Sequence, residues 1–323
     1  MMLAQVVLAL GAILWLALRR PASAWDLGLW AMAGAALLLA VRLAGIWTYL
    51  PLWTPLALGG LLAFAAAWSA WRLRGQRQSS PPSWWRWAER ATALALLGLG
   101  TALSGLALAG RTPPSDPILD FAFPLRDGAF YVANGGSTAL VNAHAGWADD
   151  PRLWRYRGQR HAVDLVQVNR LGFRTAAGAF GPLQPAEPEA YLIFGRPVVA
   201  PCNGQVEAAM DGLPDMRVPD TDRGNPTGNH VILRCGGFMV LLAHLRNGSV
   251  RVKPGGAITM GEEIGAVGNS GNTGEPHLHV HAQRPGPADA PLSGDGVPIR
   301  FGRRFLVRND VVTVGRPFGD QED

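Results

Sequence analysis

The sequence predicts a chain in two parts: an all-α transmembrane bundle of four helices over residues 1–110, followed by a mostly antiparallel all-β domain over residues 121–323. Three observations carry this expectation. Four long apolar runs fill the N-terminal part. All seven histidines and nearly all the acidic residues lie after it. Beyond about residue 120 the chain breaks into short β-like runs separated by clusters of Gly, Pro, Asn and Asp, the spacing of an antiparallel β domain.

The apolar runs are Met1–Leu18, about Ala24–Trp47, Leu52–Trp71 and Ala88–Gly110. Each is near or above the roughly 18 to 20 residues that a helix needs to cross about 30 Å of hydrocarbon. They are apolar all round, whereas a helix of a water-soluble bundle keeps a polar face. The lipid bilayer is thus the first expected partner. Arg19 and Arg20 follow the first run, and Arg72, Arg74, Arg77, Arg86 and Arg90 lie between the third and fourth. Positive charge marks cytoplasmic loops, so four crossings leave both the N-terminus and the β domain outside. The loop IWTYLPLW between the second and third runs carries no charge, and Arg42 at its edge can extend to the head groups. Ten of the twelve Trp lie in the first 90 residues, mostly near helix ends, as in an interfacial belt. Ala22-Ser-Ala24 offers a signal-peptide reading of the first run. Such a peptide carries its positive charge ahead of the apolar stretch, and here Arg19 and Arg20 come after it, which favours a retained helix. The runs hold no paired charges that would mark a transport path, so anchoring is the expected role.

Residues 111–120, beginning Arg111-Thr-Pro-Pro-Ser-Asp-Pro117, read as a Pro-rich tether, an extended semi-rigid spacer with a reach of roughly 30 to 35 Å. The β-like runs that follow are HAVDLVQV, AYLIFG, PVVAP, GQVEAAM, NHVILRC, FMVLLAHL, AITMG, EIGAVG and HLHVHAQ, with Asp211–Gly228 as a long insertion. The region from Gly135 to Arg157 has no clear period. Cys202 and Cys235, the only cysteines, lie in the exported part, where a lone pair points to a disulfide. The net charge of +5 averages two unlike environments and forms no basic stripe, so no nucleic-acid partner is expected.

Chemistry concentrates in GNSGNTGEPHLHVH, residues 268–281. Alternate residues of a strand share a face, so His277, His279 and His281 converge, and imidazole both binds zinc and carries protons near neutral pH. His244 ends the run Phe238-Met-Val-Leu-Leu-Ala-His244; a core histidine held by a backbone hydrogen bond is the structural alternative. Asp164 stands among Ala, Val and Leu, where a carboxylate calls for a cation. Zinc supplies one, and a salt bridge to Arg155, Arg157 or Arg160 supplies another.

Three segments together resemble the M23 peptidases, the LytM or lysostaphin-type zinc endopeptidases. They are Pro197-Val-Val-Ala-Pro-x-x-Gly204-x-Val, Leu241-Leu-Ala-His244-Leu, and Gly265-x-x-Gly268-Asn-Ser-Gly-Asn-Thr-Gly-x-Pro-His277-Leu-His279. Gly228-Asn-His-Val-Ile-Leu and the segment from Val252 to Gly265 fit as well, so the resemblance spans about residues 121 to 290. It implies one zinc per domain, with Asp164 and His279 as ligands, and His244 and His277 off the metal as general base and transition-state stabiliser. It also implies peptidoglycan peptides as substrate and a bacterial inner membrane, with the C-terminal domain periplasmic. The histidine that the family places four residues before the aspartate is absent, because Arg160 stands there. His161 has an odd offset from Asp164 and would need a bulge to share its face. His144, in Val141-Asn-Ala-His144, is the preferred third ligand and His161 the alternative. This departure keeps a second reading open, a catalytically inactive wall-binding or regulatory module whose partners are other cell-wall enzymes; a third is a peptidase of some other peptide. His230 reads as structural. His281 stands where relatives carry a carboxylate, and it reads either as a group orienting a ligand or as a solvated edge histidine.

Overall fold

A computed structural model describes residues 2–74, 83–115, 117–175 and 185–315. Arg77, assigned above to a cytoplasmic loop, lies outside the described residues. The chain divides into two compact units, one of residues Met1–Trp47 and Leu52–Ala109, the other of Thr48–Pro51 and Gly110–Asp323.

The first unit is made of helices α1 (Met2–Leu18), α2 (Ala24–Ala44), α3 (Thr54–Leu73) and α4 (Ser83–Ala109). Ser23 caps α2 by accepting the Asp26 amide, and a proline lies in the first turn of α3. Among the described residues three helices, not four, are long and apolar enough to cross a membrane: Ala24–Ala44, Thr54–Leu73 and Trp84–Ala109. The helix α1 has 17 residues, roughly 26 Å at 1.5 Å per residue, which falls short of a hydrocarbon layer of about 30 Å. Leu8, Leu14, Leu56, Phe64, Leu94 and Leu99 are exposed on the bundle, a surface suited to lipid rather than water. Charged groups at the helix ends are paired between helices, which the sequence reading missed. Arg19 pairs with Glu89, Arg90 meets Asp26 at 2.7 Å, and Arg72 donates to the carbonyls of Ala17 and Arg19 at 2.5 and 2.7 Å.

The second unit contains strands β1 (Leu119–Phe121), β2 (Gly128–Asn134), β3 (Val163–Val168), β4 (Pro197–Val199), β5 (Gly204–Met210), β6 (Asn229–Cys235) and β7 (Phe238–Leu245). It continues with β8 (Ala257–Ile258), β9 (Glu263–Ala266), β10 (Leu278–Gln283), β11 (Gly296–Val297), β12 (Ile299–Phe301) and β13 (Val311–Val314). A sheet of nine strands runs β13-β2-β3-β10-β7-β6-β5-β8, with β11 also on β10. Its pairings are antiparallel; β1 and β12 pair in parallel, and β4 and β9 form a small second sheet. The core lies between the large sheet and this second layer, where Phe130, Leu165, Leu233, Leu242 and Val280 pack with Val198, Ile264 and Val267. On the opposite face of the central strands a small apolar cluster of Ile232, Leu241 and Ala243 lies beside polar side chains of β10, His279 standing opposite Ala243 and His281 opposite Leu241.

Two expectations change here. AYLIFG is a turn rather than a strand, preceded by a short 3-10 helix at Pro188–Ala190. Residues 110–112 lie against the domain rather than running free, since Gly110 O accepts from Ser137 N and Thr112 O from Ser137 Oγ, both at 2.9 Å. Cys202 and Cys235 are joined in a disulfide across 33 residues. Closing a loop of that length constrains the unfolded chain by about 3 to 4 kcal/mol. Replacing both cysteines by alanine is therefore expected to lower unfolding stability by about that amount, measured by denaturant titration against the oxidised parent.

Candidate metal centre and catalytic site

The site is built on the central strands β3, β10 and β7. Antiparallel pairing puts Asp164 of β3 directly opposite His279 of β10, and His279 in turn opposite Ala243 of β7. Val163 and Leu165 face the core, so strand alternation turns Asp164 to the other face.

His144 comes from outside the sheet. Asn142 caps a short helix, α5 (Ala143–Ala148), by accepting the His144 amide at 3.2 Å. The Asn142 amide donates to the carbonyls of Gly136 and Ala162, both at 3.0 Å, which ties this helix to the entry of β3. His144 Nε2 thereby reaches within 2.9 Å of Asp164 Oδ2, and His279 Nδ1 lies 3.0 Å from Asp164 Oδ1. The potential ligand atoms of His144, Asp164 and His279 all lie within 4.8 Å of one another, and all three residues are buried. His161 ends a 3-10 stretch, Pro151–His161, and belongs to neither of the His/Asp groups found among the described residues. Because β3 begins only at Val163, the strand-offset argument for His161 does not apply. Arg160 turns away to Asp149.

His244 illustrates a local device. Alternation with Val240 and Leu242, both core residues, would bury it on the wrong face. The β6–β7 register shifts between Asn229 and Val231, and His244 adopts φ +62°. An extra residue of this kind re-aims a side chain. The His244 ring then lies 4.8 Å from that of His277, and His244, His277 and His279 form the second such group.

Hydrogen-bond directions set the proton positions. The carbonyl of Ser270 accepts from His244 Nδ1 at 2.9 Å, and the carbonyl of Glu275 accepts from His277 Nδ1 at 2.9 Å. A carbonyl only accepts, so both rings carry Nδ1–H and, in the neutral form, offer Nε2 as the acceptor; His277 Nε2 lies 3.7 Å from Asp164 Oδ1. Asp164 is supported from behind. Arg308 donates to Asn134 Oδ1 at 2.5 Å, and the Asn134 amide donates to Asp164 Oδ2 at 2.8 Å. Burial alone would raise the pKa of Asp164, but the positive charge available to His144 and His277, with hydrogen bonds from His144 and His279, holds it well below the usual carboxylate range. Burial drives His279 down to about 4, and burial with the neighbouring His277 and His279 drives His244 well below its ordinary value. Burial also opposes charge on His144, yet Asp164 outweighs it and raises that pKa. An ionised buried carboxylate thus gathers imidazoles around it. Two histidine nitrogens and a carboxylate oxygen are the donor set of a catalytic zinc site with a position left open, so the residues present fit that ion.

Beside this group lies a cavity of about 440 Å³. Trp147, Leu153 and Tyr156 give it an apolar wall, and Arg223, from the long insertion, is the cationic residue among its lining. Motif reading missed Asn134, Gln159, Arg308 and Gln283, which act through hydrogen bonds. Gln159 and Gln283 left a trace, Gln159 opening the run Gln159-Arg-His-Ala-Val-Asp164 and Gln283 lying at the next alternate position after His277, His279 and His281. His281 is buried rather than solvated, and His230 is held by the Gly228 carbonyl at 2.8 Å.

Residues 192–291 match the model of Peptidase family M23. The match is shorter than the resemblance read from the motifs: it contains His244, His277 and His279 and leaves out His144 and Asp164, where the ligand spacing departs from the family. No curated protein matches the chain. Among solved structures, a zinc-containing peptidase from Vibrio cholerae is 23% identical over 29% of this chain and 24% of that chain, with TM-score 0.23. The catalytic domain of the antimicrobial peptidase lysostaphin from Staphylococcus simulans is 20% identical over 40% of this chain and 71% of that one, with TM-score 0.25. LytU is 24% identical over 32% and 63%, with TM-score 0.24. The chain thus spans about a quarter of the Vibrio cholerae peptidase that it matches.

Proposed function

We propose that the chain is a membrane-anchored zinc metalloendopeptidase that hydrolyses peptide bonds in the stems or cross-links of peptidoglycan. The observation that carries this reading is the convergence of His144, Asp164 and His279, with His244 and His277 beside them and with His144, His244 and His279 lining the cavity. His144 Nε2, Asp164 and His279 Nδ1 would hold the zinc, which when bound polarises the scissile carbonyl and acidifies water. His244 and His277 present bare Nε2 atoms held by backbone carbonyls. One takes the proton of the attacking water and returns it to the leaving amine, and the other, once protonated, steadies the developing negative charge. The apolar wall of Trp147, Leu153 and Tyr156 lowers the local dielectric, and Arg223 offers a partner for a substrate carboxylate.

The anchoring part follows from composition. The three longer helices cross the bilayer, α1 makes a fourth crossing by local thinning or by extension of its flanking residues, and the arginine-bearing ends stay in the cytoplasm of a bacterial inner membrane. The C-terminal unit is then periplasmic, near the membrane, against the inner side of the wall or its lipid-bound precursors. The inactive wall-binding module, with cell-wall enzymes as partners, finds no specific support in the site, because both the ligand set and the two bases are present.

The test is digestion of purified peptidoglycan by the full chain in detergent. New amine ends that appear with zinc and stop with a chelator are expected. If a peptide library is cut while peptidoglycan yields no new amines, the wall substrate is wrong; if neither is cut by zinc-loaded protein, the enzyme reading fails.

A further inference from the structure

Both ring nitrogens of His279 are engaged: Nδ1 lies 3.0 Å from Asp164 Oδ1, and Nε2 lies 2.9 Å from His281 Nδ1. A neutral imidazole carries one proton, and only the nitrogen without it can bind a metal. For His279 to offer Nδ1 to zinc, its proton must sit on Nε2. Asp164 pulls the other way, because a carboxylate only accepts and at 3.0 Å favours an Nδ1–H. The choice is made at the far end of a buried chain of hydrogen bonds.

Gln283 Nε2 lies 3.1 Å from the Arg284 carbonyl and 2.7 Å from the Pro291 carbonyl. Both carbonyls only accept, so this atom is the amide nitrogen, and the network itself settles the orientation of the amide. Gln283 Oε1 is then the atom 3.3 Å from His281 Nε2. An amide oxygen also only accepts, so neutral His281 carries its proton on Nε2 and keeps Nδ1 as an acceptor. To use that acceptor His279 must donate from Nε2, which frees its Nδ1 for a cation shared with Asp164. Each link from Gln283 to His279 Nε2 has one permitted direction, and together they oppose the pull of Asp164 on Nδ1.

The placement is built in. Residues 279, 281 and 283 share a face of β10, and none of the three is more than 5% exposed. A Cβ at Gly158 would fall 1.9 Å from Gln283 Oε1, so the bare glycine backbone there keeps room for the amide. His144 receives different support, from the single side chain of Gln159 at 2.9 Å.

We propose that Gln283, acting through His281, is a positioning residue that locks His279 in the tautomer with Nδ1 free and so readies it for zinc. The inference rests on the zinc reading above, and its test separates the two. The probes are zinc alone, titrated into the full chain in detergent against a chromogenic chelator, and ¹⁵N imidazole NMR of the metal-free chain. In the parent, NMR is expected to show His279 protonated mainly at Nε2, the clamp outweighing the pull of Asp164 on Nδ1. His281→Leu removes the acceptor and is expected to weaken zinc binding about 10- to 100-fold, the usual effect of losing a ligand's supporting partner. His281→Asn puts an amide oxygen where Nδ1 stood and should recover most of that loss, a rescue that a purely packing role would not give. Gln283→Met keeps the volume without the clamp, and both His279 tautomers should then appear. Should His281→Leu fail to fold, the Gln283→Met spectrum and the Asn rescue still decide. Parent-like zinc affinity in folded His281→Leu, or a parent His279 protonated at Nδ1, overturns the proposal while leaving the zinc reading intact. A parent that binds no zinc overturns both.

Discussion

Asp164→Ala is expected to strip zinc from the full-length protein and abolish peptidoglycan cleavage, because the carboxylate is the shared anchor of the site. Its Oδ2 faces His144 at 2.9 Å and its Oδ1 faces His279 at 3.0 Å. Removing it leaves two buried imidazoles with no counter-charge, and the affinity should fall by more than the roughly 10- to 100-fold that follows loss of a supporting partner. His144→Ala should have the same outcome and His161→Ala should not, since His161 lies outside both clusters found among the described residues. Zinc content after dialysis, measured on the three variants side by side, separates these cases. Retention in His144→Ala with loss in His161→Ala would reverse the ligand assignment.

The second large effect falls on the bases. His277→Ala and His244→Ala should each retain about one zinc per chain yet lose turnover by about 10²- to 10⁴-fold, the range for loss of a general acid or base. Both rings are fixed through Nδ1 by backbone carbonyls, so each variant removes a proton acceptor without touching the three ligands. Steady-state cleavage of a peptidoglycan fragment, with zinc content measured on the same sample, is the readout. Loss of zinc in either variant would move that histidine from the bases to the ligands. The His244 variant carries an added stability cost. The residue sits at φ +62°. Alanine keeps the Cβ and with it the cost of that positive φ, so nothing offsets the loss of the ring's contacts.

The antiparallel β domain was legible in short apolar runs such as Phe238–Leu245, set between turn clusters rich in Gly and Pro. Strand β2, GAFYVAN, is absent from the expected runs although it is buried much as β3 and β10 are, which were expected. AYLIFG looks like a strand by residue type but closes into a turn. The charge pairs Arg19–Glu89 and Arg90–Asp26 were missed because their members are about 64 to 70 residues apart, beyond any local pattern.

The sequence by itself determined the apolar N-terminal helices, the antiparallel character of the C-terminal domain and the supply of histidines, because these depend on local composition and on periods of two or three to four residues. Tertiary structure alone decided which groups meet. It brought His144 to Asp164 through a helix capped by Asn142, swung His244 off the core face through a bulge, and closed the chain of hydrogen bonds from Gln283 to His279. The reason is that a ligand set is a relation among strands joined out of sequence order, as β3, β10 and β7 are. Their register is chosen by the packing of the whole sheet, not by any one segment.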